Sequence, residues 1–165
     1  MRWSSLAVAA LVTGCVHTPA QPDSVSASVE PSANACDLIA KSRSVLLTVR
    51  NSGPGKLRIS AQDEAGPPFR MGWPYYTVLS GETDPPTVYK NPMGHGNLPI
   101  ATVSLDPGDE TQFLLYLGEF TPVSERLRYR AQFEDQSGQV YFSSPFSLCS
   151  PGSMPSDSCM DCPVN

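Results

Sequence analysis

The sequence predicts an all-β fold, a sandwich of about seven short antiparallel strands, and three observations predict it. Apolar and polar residues alternate with a period of two through residues 44–148, the pattern of half-buried strands. No stretch of a dozen residues carries a helical stripe. Proline supplies 17 of the 165 residues, against a usual share of about 5%, and proline in a helix interior removes a backbone donor and clashes with the preceding turn.

The elements follow in chain order. Val45, Leu47 and Val49 alternate with Ser44, Thr48 and Arg50, with Leu46 interrupting the polar face. Asn51-Ser52-Gly53-Pro54-Gly55 is a turn, because these residues accept the dihedral angles that turns need. Leu57, Ile59 and Ala61 then alternate with Lys56, Arg58 and Ser60. Ala101, Val103 and Leu105 form another inward face, which ends at Asp106-Pro107-Gly108-Asp109. Phe113, Leu115 and Leu117 share one face of the next strand. A closing hairpin follows, with Leu127, Tyr129, Ala131 and Phe133 facing inward and Arg126, Arg128, Arg130 and Gln132 outward. Asp135-Gln136-Ser137-Gly138 turns the chain, and Val140, Phe142, Phe146 and Leu148 are expected to line the inner face of its return strand. Pro145 inside that strand predicts an edge or a bulge.

A strand ending in Asn-x-Gly at Asn51–Gly53, a Leu-x-Ile strand at Leu57–Ile59, and a Pro-Gly turn at Pro107-Gly108 before the aromatic Phe113 strand resemble secreted bacterial domains of the immunoglobulin-like class. The resemblance spans about 45–148 and implies an immunoglobulin-like sandwich. It departs from the antibody pattern, since neither Trp3 nor Trp73 occupies the expected strand position between paired cysteines. Such a resemblance implies architecture, because fold does not carry function.

The chain begins with a positive residue, Arg2, an apolar run from Leu6 to Val12 and small residues before Cys15, the order of an export signal. The run is shorter than the roughly 20 residues that a membrane-spanning helix needs. Leu11-Val12-Thr13-Gly14-Cys15 resembles the lipobox of bacterial lipoproteins. That resemblance implies removal of 1–14, a diacylglyceryl thioether on Cys15 and fatty acylation (palmitate) of the new terminus. It implies an anchor in the cell envelope and, with Val16 rather than aspartate next, sorting to the outer membrane. An ordinary cleaved signal with a coincidental cysteine is the alternative. Residues 15–35 are rich in Ser, Ala, Pro and Thr and are expected to be a disordered linker that buries too little apolar surface to order itself. The sandwich domain is then expected over 36–149 and a cysteine-bearing tail over 150–165.

Cys36, Cys149, Cys159 and Cys162 remain, and an even number in an exported chain predicts two disulfides. Three pairings are open. A Cys36–Cys149 bond would tie the ends of the domain, with Cys159 and Cys162 paired in the tail. A tail that folds back to Cys36 or Cys149 is the rival. A net charge of −5 argues against nucleic acid, whose phosphates call for a surplus of Lys and Arg.

Residues 65–99 break the alternation, and connections of this length are often functional. Phe69, Trp73, Tyr75, Tyr76, Tyr89 and His95 lie here among seven prolines, with a short strand expected at Tyr75–Leu79. Aromatic rings on proline-stiffened loops offer a preordered surface for a protein or glycan partner; equally, they can plug the open end of the sandwich. Met93–Gly96 with its His95, together with Met71, Met154 and Met160, raises copper, without a recognisable ligand spacing. Arg126, Arg128 and Arg130 form a basic stripe, expected as a solvated face near Glu119, Glu125 and Glu134. His95 is the domain's one histidine, and no nucleophile elbow, zinc-protease helix motif or phosphate loop occurs. The expectation is a non-catalytic binding or accessory module without cofactor, with a purely structural lipoprotein, a copper carrier or a carboxylate hydrolase as alternatives.

Overall fold

The computed structural model describes residues 24–37, 43–62, 65–71, 76–80, 87–89, 101–117, 121–123 and 126–149. They form an all-β sandwich. Ten strands run in chain order: β1 (Val25–Pro31), β2 (Ser44–Asn51), β3 (Leu57–Ala61), β4 (Phe69–Met71), β5 (Tyr76–Ser80), β6 (Thr87–Tyr89), β7 (Ala101–Leu105), β8 (Glu110–Tyr116), β9 (Tyr129–Glu134) and β10 (Val140–Phe142). One sheet has the order β1-β2-β8-β4, a second β10-β9-β5-β6, and β3 pairs with β7. The pairing is antiparallel except for β4, which runs parallel to β8.

The inward faces are those that the alternation predicts. Val45, Leu47 and Val49 of β2 are buried against Phe113 and Leu115 of β8, and Tyr129, Ala131 and Phe133 of β9 complete one core. Burial of each valine, leucine and phenylalanine side chain among them contributes on the order of 1.5–3 kcal/mol. Ten strands replace the expected seven because β1, β4 and β6 escaped the alternation reading. β3 and β7 prolong the β2–β8 ribbon beyond the Asn51 and Asp106–Asp109 turns.

The expected linker over 15–35 is corrected in its second half. Val25–Pro31 is a strand in register with Asn51–Val45 of β2, and Val25, Ala27 and Ala35 are buried. The fold therefore includes residues ahead of the expected start at Cys36. Ser and Ala dominate the composition there, yet Val25, Ala27 and Val29 alternate with Ser26, Ser28 and Glu30. Small side chains suffice at an edge that gains backbone hydrogen bonds from β2. On its other side Ala27 O accepts from Ser144 N at 2.8 Å, so β1 joins the first sheet to the segment after β10. Residues 1–23 lie outside the described residues.

Cys36 and Cys149 are disulfide-bonded across 113 residues. In the chain-entropy picture a closed loop of this size contributes about 4–5 kcal/mol. Cys159 and Cys162 lie outside the described residues. At the same end Arg43 Nη2 donates to Thr121 O at 2.8 Å, and burial lowers the pKa of its guanidinium. Tyr129, the first residue of β9, donates from its hydroxyl to Pro122 O at 2.6 Å. A tyrosine at a strand start reaching back to an upstream carbonyl is a feature of immunoglobulin-like sandwiches.

The return strand of the closing hairpin also needs correction. Tyr141 is buried, with Val140 and Phe142 half-buried on the other face, whereas Phe146 and Leu148 point inward as expected. Ser144 and Pro145 are both exposed, so the alternation slips by one residue at the proline.

Candidate binding surface

The described residues within 65–99 form three strands, β5 within one residue of the short strand expected at Tyr75–Leu79, with β4 and β6 beside it in chain order. β5 sits inside the second sheet between β9 and β6, and β6 forms its edge. Val78 and Ser80 of β5 are buried, while Thr77 and Leu79 are half-buried on the outer face. Apolar and polar residues thus fall on both faces of this strand.

The six residues expected at a contact surface separate. Phe69 is half-buried in the core, its ring centroid 5.9 Å from that of Phe113, which assigns much of that ring to packing. Tyr76 stands opposite Phe133 and Tyr89 opposite Val78 in strand register. Trp73, Tyr75 and His95 lie outside the described residues, as does Met93.

What the structure adds is Val88. At 47% exposure it is the one exposed large hydrophobic among the described residues, and it lies on edge strand β6. Leu79 is paired with Val88 on one side and with Arg130 on the other. Val88, Leu79 and Arg130 therefore form a row across the outer face of the second sheet. Sequence reasoning passed over Val88 because Thr87-Val88-Tyr89 is too short to show a period.

The basic stripe is exposed at Arg126, Arg128 and Arg130. Arg128 donates to the Ser147 hydroxyl. Glu119 and Glu125, expected nearby, lie outside the described residues.

A second polar constellation forms where the β9–β10 turn meets β3. Asp135 Oδ1 accepts from Ser137 N at 2.8 Å, Ser137 Oγ at 2.6 Å and Gln139 N at 3.0 Å. Its Oδ2 accepts from the Tyr141 hydroxyl at 3.1 Å. Burial pushes the Asp135 pKa up, but the bonds from the Ser137 side chain, the Gln139 and Ser137 backbone and Tyr141 outweigh it and hold the carboxyl below its ordinary value. Burial first, then the Asp135 charge and hydrogen bond, push Tyr141 up to about 12. Gly138 takes the left-handed conformation, φ 84°, that closes this loop. Gln136 N donates to Arg58 O at 3.0 Å, and Gln136 Nε2 to Thr102 Oγ1 at 2.7 Å. The turn is thereby fastened to both β3 and β7. Lys56, Arg58, Asp135, Gln136 and Ser137 line a depression of ≈ 410 Å³.

Among the described residues no group of three His, Cys, Asp or Glu side chains is placed to hold a metal ion. No family model matches the chain, and no curated protein does so either. Among solved structures, a Bordetella pertussis protein assigned as ApaA aligns over 78% of this chain and 94% of its own, at 15% identity and a TM-score of 0.31. That likeness is too distant to bear on fold or function.

Proposed function

We propose that this chain is a lipid-anchored binding module of the cell envelope, non-catalytic, that meets a protein or glycan partner at the β5–β6 edge of its second sheet. The observation that carries the reading is Val88, exposed on an edge strand beside Leu79 and Arg130. An edge strand offers unpaired backbone donors and acceptors that natural proteins otherwise blunt or cover, and an extended partner can add to such an edge. The lipobox resemblance at Leu11–Cys15 supports the anchor, and the disulfide between Cys36 and Cys149 suits an oxidising compartment.

Crosslinking in intact cells, followed by purification of the mature protein, tests the reading. Val88→Asp is expected to remove the captured partner while leaving the thermal midpoint unchanged, since the side chain is already exposed. Equal recovery of partner by the variant would count against this edge.

A further inference from the structure

The depression between β3 and the β9–β10 turn has a feature that the proposed contact edge does not use. Arg58 is exposed and its guanidinium makes no hydrogen bond or ion pair among the described residues, although it lines this polar cup. Lys56 lines the same cup and shares its charge with Asp106 at 3.1 Å. The carboxylate within the cup is already engaged, for both Asp135 oxygens accept bonds from its own turn and from Tyr141. Its charge remains beside those of Arg58 and Lys56. The free donor is the Arg58 fork, with the Lys56 ammonium beside it on its Asp106 partner. A guanidinium suits the paired oxygens of a phosphate.

The position of the cup selects the source of that phosphate. Ser52 N donates to Ser24 O at 2.8 Å, so the chain enters the fold against the turn that leads into Lys56. Only eight residues lie between Cys15 and Ser24, and the nine chain steps from one to the other span at most about 30 Å. A domain anchored through Cys15 keeps this end beside the headgroups.

We propose that Arg58 and Lys56 form a docking cup for the phosphodiester of an anionic lipid headgroup, holding the anchored domain on the membrane by its β3 end. This rests on the lipid-anchor reading above. The outer face of the second sheet, with Val88, then stays available to a partner.

The chain has three lysines, Lys41, Lys56 and Lys90, which permits a footprint. The mature full chain, extracted from membranes, is treated with an amine-reactive reagent in three settings: phosphatidylglycerol vesicles, vesicles of a neutral phosphate-free glycolipid, and detergent with added inorganic phosphate. Slower modification of Lys56 is expected with phosphatidylglycerol and with phosphate, and not with the glycolipid. Arg58→Ala should weaken the phosphate effect about tenfold, and Arg50→Ala, on the outer face of the first sheet, should not. Equal protection on glycolipid, protection that survives Arg58→Ala, or no protection anywhere overturns the cup. Protection by inorganic phosphate without protection on phosphatidylglycerol overturns the headgroup as its source. Intact mass of the mature chain reports acylation separately. A chain without acyl groups removes the anchor reading, while the detergent arm still tests the cup.

Discussion

At the junction of β2 and β3 the Asn51 side chain is 2% exposed. Its Nδ2 donates to Gly55 O at 2.7 Å and Leu105 O at 3.0 Å, and its Oδ1 accepts from Gly53 N at 3.1 Å. At the β9–β10 turn the Asp135 side chain is half-buried, and four donors meet its two oxygens. Each side chain replaces backbone pairing where a ribbon bends. The difference is that Asn51 is neutral and works in the core, whereas Asp135 is charged and works near water. A neutral buried clasp does not titrate, and its loss strands backbone groups that water cannot reach. A charged clasp near the surface forms stronger individual bonds, but solvent can replace part of each and protons can cancel it.

Asn51→Ala is the harshest way to test that contrast. It leaves the buried Gly53 N and Leu105 O without this partner, whereas Gly55 is exposed, and unsatisfied buried groups cost about 1–3 kcal/mol each. A loss of about 2–4 kcal/mol is expected in chemical denaturation, with the same size at pH 5 and pH 8. A strongly pH-dependent loss would break the comparison.

Gly53→Ala tests the packing that Asn51 makes possible. A Cβ at this position would stand 2.7 Å from Ser24 Cβ, so the entry to β1 must move. About 1–3 kcal/mol is expected, the usual cost of overpacking. The loss should be accompanied by faster hydrogen exchange along β1, because Ser52 N–Ser24 O opens with it. Uniform exchange rates in β1 would mean that β1 holds independently of this turn.

The same junction shows how much was legible in the sequence. β2, β3, β7, β8 and β9 bury the residues that their alternation picks out, because each has one face on the core and one in water. The Asn51–Gly55 turn was legible as turn chemistry, but its grip on Leu105 was not, since that contact spans 54 residues. β1 was obscured by its composition, although it alternates. β5 is expected at Tyr75–Leu79 and runs over Tyr76–Ser80, although its buried Ser80 and outward Leu79 invert the usual sorting of polar and apolar residues. The β9–β10 turn was legible as well. The phase of β10 was misread because Tyr141, not Val140 or Phe142, turns inward, where it reaches Asp135. Of the candidate site, the stretch 65–99 was marked by its prolines, but Val88 needed the sheet order to become an edge. The Arg58 cup is joined by a bond from Gln136 to a β3 carbonyl, which leaves no mark on local sequence.

Asp135→Asn is expected to cost about 1–2 kcal/mol at pH 7, as a charge-assisted set of bonds becomes a neutral one. The sign of the pH dependence follows from the lowered folded pKa. An unfolded chain takes up the proton first, near pH 3.9, so the carboxylate's contribution is complete above that value and disappears as pH falls through the folded one. The gap between wild type and variant should therefore be constant from pH 5 to 8 and shrink below about pH 4. A gap that persists in acid would make Asp135 another clasp of the Asn51 kind.

Tyr141→Phe removes one of the four bonds and keeps the ring stacked on Phe133, whose centroid is 5.4 Å away. The expected loss is the smallest, about 0.5–1.5 kcal/mol near neutrality. Its value lies at high pH. The folded hydroxyl keeps its proton to about 12, while in the unfolded chain it ionises near 10. Its stabilising contribution is thus whole below pH 10 and lost as pH rises through 12. Wild type should lose stability across that interval, beyond what other groups contribute, and the phenylalanine variant should lose less. Parallel alkaline unfolding curves would show that Asp135 and Tyr141 do not titrate as partners, and that the turn is held by Ser137 and Gln139 alone.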